Sequence, residues 1–221
     1  MSLQIIDTVN IAAVSAPPAK GFGLLYNGYA YLHADFAPTN WRVPTLSDLQ
    51  TLQVNILSAS NMKSVRKYPT FATGWGNPGA DTYLFSFLPA GLRGADALFY
   101  SANANGYMAS KNLYNGNYTV IFCTDSNGFG LGGFSIKHGL PARLLMIDSS
   151  GWSAGDTVTD EDGNVYDTVK VGTQVWTASN WKCTKLNDST PMDENTGNTN
   201  DWINAVIPTY CSYLCAPIKE E

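Results

Sequence analysis

Residues 157–188 read TVTDEDGNVYDTVKVGTQVWTASNWKCTKLND. Two runs rich in Val, Thr and aromatics flank Asp162-Gly163, and Asp-Gly between alternating apolar residues is the strongest short hairpin signal. Asp160 and Asp162 also invite a second reading, as the opening ligands of a calcium loop. That loop needs its glycine two residues later and a closing glutamate. Here Gly163 comes too early and no Glu closes the loop, so the hairpin turn is the expectation. Upstream, SSGWSAGDTV (149–158) is small and polar and reads as a boundary or surface connection. Downstream, the chain turns polar, then apolar, and ends in charge.

The rest of the chain agrees with a loop-rich, mainly β protein. Hydrophobic residues make up 44% of the 221, enough for a core, while charged residues are only 14%. Disorder would require the opposite balance. The 20 Gly and 11 Pro imply many turns and few long helices. Net charge is −5, and Lys63, Arg66 and Lys67 form the only basic cluster, which excludes a nucleic-acid footprint. All four Glu lie after residue 160. No run approaches the ~20 apolar residues of a membrane span, so membrane insertion is not expected. The start, MSLQIIDTVNIAAVSAPPAK, lacks a basic region followed by a long apolar core and does not read as a signal peptide.

Residues 1–20 alternate apolar and polar before Pro17-Pro18, predicting an extended segment or anchor. Phe22 to Leu32 reads as buried strand or irregular core. Thr45 and Asp48 are placed as a capping box, and Leu46, Leu49, Leu52 and Ile56 follow at helical spacing. A helix from Thr45 to Leu57 is predicted, with a second, short one over Met62 to Lys67. Residues 71–93 read as a compact loop region packed by Trp75, Phe85 and Leu88. Tyr118–Cys123 and Gly133–Ile136 read as short strands, and 142–148 as a buried final strand.

One stretch stands out for contact chemistry. Between Tyr100 and Tyr118 there are four Tyr and five Asn, and no carboxylate occurs from Ala97 to Thr124. Tyrosine gives contact area at low entropy cost, and Asn, Ser and Gly add adaptable hydrogen bonds. The candidate ligand contacts are therefore Tyr100, Asn103, Asn105, Tyr107, Asn112, Tyr114, Asn115, Asn117 and Tyr118. The alternative is that these tyrosines pack the sheet or a subunit interface.

Several blocks resemble the Fibrobacter succinogenes major paralogous domain family. Gly23-Leu24-Leu25-Tyr26-Asn27 and Trp41-Arg42-Val43-Pro44-Thr45 resemble its GLLYNWYA and GWHVPT blocks. Leu88-Pro89-Ala90-Gly91-Leu92-Arg93 resembles LPGGYR, and Phe134-Ser135-Ile136 resembles GFSVR. The family's opening block resembles 162–188, followed by Thr209-Tyr210-Cys211. The order is thus rotated: 21–148 carries the late blocks, 149–157 the connection and 158–221 the opening blocks. Two arrangements remain open, a circular permutant forming one domain over 21–221, or residues 158–221 completing a neighbouring protomer. The resemblance implies a C-type-lectin-like fold whose late loops, about 100–130 here, carry the ligand surface. It implies no defined activity. Cys211 matches a family cysteine, but Asp35-Phe36 and Leu144-Leu145 stand where its partner is expected.

Recognisable catalytic signals are absent from the sequence. His33 and His138 lie in no metal-binding pattern, and there is no nucleophile elbow or phosphate loop. Cys123, Cys183, Cys211 and Cys215 lack the spacing of a zinc site and read as buried thiols or one disulfide. Asp81, Asp96 and Asp125 are conceivable members of a glycosidase pair, a signal that 14 Asp produce by chance. The expectation is a binding module without catalytic residues, metal or cofactor: a phage fibre, adhesin or decoration subunit. It would sit on the virion or an extracellular surface, as a homo-oligomer (a trimer by expectation) beside other virion proteins. Its partner would be a host-surface glycan or protein. The alternatives are a secreted bacterial adhesin and a carbohydrate-active enzyme.

Overall fold

The structure is a computed structural model that describes residues 22–68, 70, 74–115 and 117–212. The N-terminal segment 1–20 and Cys215 lie outside the described residues. In chain order the strands are β1 (Leu25–Tyr26), β2 (Trp41–Arg42), β3 (Leu92–Arg93), β4 (Phe99–Tyr100), β5 (Asn105–Tyr114), β6 (Asn117–Thr124), β7 (Phe129–Ser135), β8 (Leu140–Pro141) and β9 (Leu145–Met146). They continue with β10 (Thr157–Thr159), β11 (Val165–Val171), β12 (Gln174–Thr177), β13 (Asp193–Glu194) and β14 (Thr209–Cys211). The helices are α1 (Gly28–Leu32), α2 (Leu46–Ile56), α3 (Ala59–Met62) and α4 (Thr199–Asn204). Strand (34%) outweighs helix (16%), and all pairings between these strands are antiparallel except β13–β14. The class is α+β, loop-rich and mainly antiparallel.

The hairpin around Asp162-Gly163 forms, with Val158 opposite Tyr166. Gly163 takes φ +80°, which a side chain would resist. Both candidate calcium ligands are occupied by the protein itself. Asp160 accepts hydrogen bonds from the Asp162 and Asn164 amides, the Asn164 side chain and the Tyr166 hydroxyl. Asp162 accepts from the Thr184 amide at 2.6 Å and its hydroxyl at 2.8 Å, with Lys185 Nζ at 3.3 Å. Burial works against the Asp162 carboxylate, but the Thr184 and Lys185 contacts prevail and hold it below the usual carboxylate range.

Helix α2 starts as the capping box requires: the Thr45 hydroxyl accepts from Asp48 N and the Asp48 carboxylate accepts from Thr45 N. Arg42 adds a two-pronged contact to the same carboxylate. Leu49, Leu52 and Ile56 form its buried stripe. The second helix differs from the expectation. It covers Ala59–Met62 and stops at Lys63, where the expected helix had barely begun. Ser58 caps its start, and Lys63 turns extended to bridge Phe87. The strand expected over 142–148 also shortens to β9, because Arg143 turns inward instead of pairing along a ladder.

The three-stranded sheet β5–β6–β7 is packed on both faces. Tyr107, Ala109, Tyr118 and Val120 join one hydrophobic cluster with Tyr26, Tyr31, Phe36, Trp41 and Trp181. Met108, Ile121 and Cys123 join the other, with α2, Trp75, Phe85, Phe87 and Trp176. Alternate residues of a strand point to opposite faces, so one ladder serves both clusters.

Residues 157–211 are tied into residues 22–148 within the chain. Strand β12 pairs with β9, which pairs with β2, and β14 pairs with β1. Buried polar side chains reinforce the junction. Asn27 accepts from the Ala30 and Thr209 amides and donates to the Ile207 carbonyl. The fully buried Arg143 donates to Asn180 Oδ1 (2.6 Å) and to the carbonyls of Phe85 (2.9 Å), Thr177 (2.8 Å) and Ser86 (3.1 Å). Its guanidinium also lies 5.0 Å from the Phe85 ring centre. Burial disfavours the charge and lowers the guanidinium from its usual value, and these acceptors replace the water it has lost.

Replacing Arg143 by Ala leaves three buried acceptors and one half-buried one without their donor, each worth about 1–3 kcal/mol when orphaned and relaxing in part. The expected loss is about 3 kcal/mol or more in urea unfolding, with Arg143→Lys intermediate because an ammonium cannot span the same fork. A loss below about 1 kcal/mol would refute this role.

Candidate ligand-binding surface

The Tyr/Asn stretch forms β4, β5, the turn after it and the start of β6. Its nine candidate residues do not make one surface. Tyr118 is 1% exposed and Tyr107 9%, so both rings sit in the core rather than facing a ligand. The pleat turns both inward: Tyr118 donates its hydroxyl to the His138 carbonyl, and the Tyr107 ring meets Phe134 edge-on at 5.3 Å. Tyr100 is half-buried and donates to the Asp96 carboxylate, a bond that raises its phenol above the usual value. Asn105 donates to the Tyr107 hydroxyl at 3.0 Å. Asn103 adopts φ +60°, and its side-chain oxygen is buried with no hydrogen-bond partner.

Asn112 is exposed, yet it has an internal task. Its side-chain oxygen accepts from the Leu46 amide at 2.7 Å, capping the first turn of α2 from a strand 66 residues away. Tyr114 pairs in register with Asn117, and Asn115 turns the chain with φ +52°. Asn115 and Asn117 are exposed, joined by a 3.4 Å bond from Asn117 Nδ2 to the Asn115 carbonyl. The Asn115-Gly116 dipeptide between two apolar runs is the sequence signal that would have located this hairpin.

Two clefts lie beside this sheet. The smaller, about 180 Å³, is lined by Tyr31, His33, Trp41, Arg42 and Lys111 among others. The larger, about 470 Å³, falls within the ~300–1,000 Å³ range of small-molecule sites. Gln53, Leu57, Ser58, Ala59, Ser60, Asn127 and Phe129 line it. This is a neutral rim of amides, hydroxyls and one aromatic ring, without any ionisable side chain. Leu57 at its lip has φ +66° and is 78% exposed. A leucine in the left-handed region is strained, and such strain concentrates at functional sites. Beneath the cleft, the buried Lys63 holds the turn after β6. Its ammonium donates to the Asp125 carbonyl (3.1 Å) and Asn127 Oδ1 (3.0 Å), and lies 4.5 Å from the Trp75 ring centre. Burial lowers its pKa, against the pull of Asp125.

The carboxylates considered for catalysis are committed elsewhere. Asp81 accepts from the Ser86 amide and hydroxyl, Asp96 from Leu98 N and Tyr100, and Asp125 from Asn77 N. His33 accepts from Asp35 N, and His138 lies against the Ser135 carbonyl. Burial pushes His138 below the usual imidazole value. Among the described residues, no group of three or more His, Cys, Asp or Glu is arranged to hold a metal ion. No described helix is long and apolar enough to cross a membrane. The chain matches no protein-family model, no curated protein and no solved structure.

Cys123 and Cys183 are buried free thiols. Burial pushes Cys123 up to about 12 and Cys183 up to about 11, from an ordinary 9.0. Both should resist a thiol reagent at pH 8 until the chain unfolds, since the thiolate is the reactive form. The same shifts set a stability trend. Between about pH 9 and 11 the unfolded thiols lose protons that the folded ones keep, so stability falls as pH rises through that window. Denaturant midpoints at pH 7 and pH 10 measure it, and replacing Cys123 by Ala should reduce the difference.

Proposed function

We propose that this chain is a non-catalytic recognition module with a C-type-lectin-like fold, acting as a fibre, adhesin or decoration subunit of a phage particle. Its ligand is a host-surface glycan or protein. The neutral cleft between α2, α3 and the start of β7 carries this reading. Amides and hydroxyls around one aromatic ring suit a sugar, which offers hydroxyls at its rim and C–H groups on its faces. A cleft without ionisable side chains has no general acid or base to offer, which favours binding over turnover. The block resemblance supports the lectin-like arrangement. Its rotated opening block supplies β11 and β12 beside β9, as a permuted single domain would require.

The test is binding of the full chain to host cells and to an array of host-surface polysaccharides. Gln53→Ala and Phe129→Ala should each weaken binding about tenfold, equivalent to ~1.4 kcal/mol. Asn115→Ala, at the hairpin tip, should leave it unchanged. If the full chain binds neither host cells nor glycans, the reading fails. If only the tip variant loses binding, the ligand site belongs to the hairpin and the cleft assignment fails.

A further inference from the structure

The outer edge of β7 is unpaired among the described residues, since its sheet runs β5–β6–β7. Exposed edges usually carry charge, proline, a bulge or a cover that blocks pairing with another chain. Among the described residues, strand β7, FGLGGFS, has none of these. It pairs with β6 without a register shift, its residues are half-buried or exposed, and no charged side chain lies between Phe129 and Ser135.

The hydrogen-bond phase of this edge can be read from its inner side. Thr124 N donates to Gly128 O, so that pair is hydrogen-bonded. In an antiparallel ladder bonded and non-bonded pairs alternate. Gly130, Gly132 and Phe134 therefore face β6, while the peptide groups of Phe129, Leu131, Gly133 and Ser135 point outward. The Ser135 carbonyl is already taken by His138 N, leaving its amide.

We propose that β7 pairs with β7 of a second copy of this chain, antiparallel about a two-fold axis through Gly132, making one six-stranded sheet. In that register the outward groups meet: Leu131 faces Gly133 of the partner subunit, and Phe129 faces Ser135 of the partner subunit. The side chains are self-complementary, because each large residue opposes a small one, and Phe134, its ring turned back onto Tyr107, faces Gly130 of the partner subunit. A two-fold axis brings identical residues together, so like charges near it would repel. The uncharged strand removes that penalty. A single seven-residue strand pair covers less than the ~1,200 Å² typical of stable interfaces. The expected dimer is therefore concentration-dependent, with dissociation in the micromolar range or weaker. The inference does not need the proposed ligand, although Phe129 belongs to both the cleft and the paired edge.

Two substitutions test it on the full chain without disturbing the fold. A Cβ at Gly132 would meet only Phe122, at 3.8 Å, and one at Gly133 only Asn117, at 3.9 Å, both ordinary contacts. Sedimentation of the unaltered protein should show a monomer–dimer equilibrium, and Gly133→Lys should weaken it at least tenfold. Under mild oxidation Gly132→Cys should yield a disulfide-linked dimer, because that residue meets its own copy on the axis. Gly133→Cys and the unaltered chain should not. A protein monomeric throughout, or an oligomer indifferent to Gly133→Lys that gives no Gly132→Cys cross-link, overturns the proposal.

Discussion

A single buried guanidinium joins the loop region after α3 to the end of β12, two segments about 90 residues apart in sequence. Arg143 reaches the Phe85 and Ser86 carbonyls on one side and Thr177 and Asn180 on the other. The first pair belongs to the loop region after α3, the second to the end of β12. An arginine suits this position because its planar fork presents several donors in fixed directions. Desolvating it is costly, so the acceptors must be held in place by other structure. Here Asp81 holds the 81–86 turn, and the β12 ladder holds Thr177. Asn180 extends the link by donating to the Phe22 carbonyl at 2.7 Å.

The same logic recurs in the buried tyrosines. Tyr26 donates to the Cys183 carbonyl, Tyr31 to Leu140 and Pro141, and Tyr118 to His138. Tyr166 stacks on Trp181 at 4.3 Å while its hydroxyl meets Asp160. Each ring fills the core and its hydroxyl satisfies a carbonyl or carboxylate, from another segment for Tyr26, Tyr31 and Tyr118 and from the same hairpin for Tyr166. A buried phenol needs such a partner. A loop-rich chain has many irregular carbonyls that no ladder can satisfy, and the tyrosines supply donors to several of them.

This reassigns much of the chemistry that the Tyr/Asn stretch suggested. Tyrosine, asparagine and serine suit a contact surface, but they also suit an irregular core with scattered backbone groups. Asn112, in the middle of the stretch, caps a helix rather than facing solvent freely. The neutral cleft was not visible because its residues come from α2, α3 and the β6–β7 turn, which no local pattern connects. Its one local hint, Leu57, becomes informative only when its φ is known.

The amino-acid sequence alone determined the features that rest on neighbours along the chain. The Asp-Gly turn, the Thr45/Asp48 capping box, the α2 stripe and the β6 core were legible because turn chemistry, capping and alternation act within a few residues. The second helix was misplaced by a few residues, since a four-residue helix has little periodicity to read. Strand β5 was missed because its Asn, Ser and Lys residues interrupt any apolar alternation, although its 106–110 stretch is buried. Only the tertiary structure decided which tyrosines are core, where Arg143 and Lys63 find their acceptors, and which strand edge stays open. Those outcomes depend on contacts across 20 to more than 150 residues. Long-range contacts of this kind leave no periodic trace in sequence, because either partner alone is compatible with many environments.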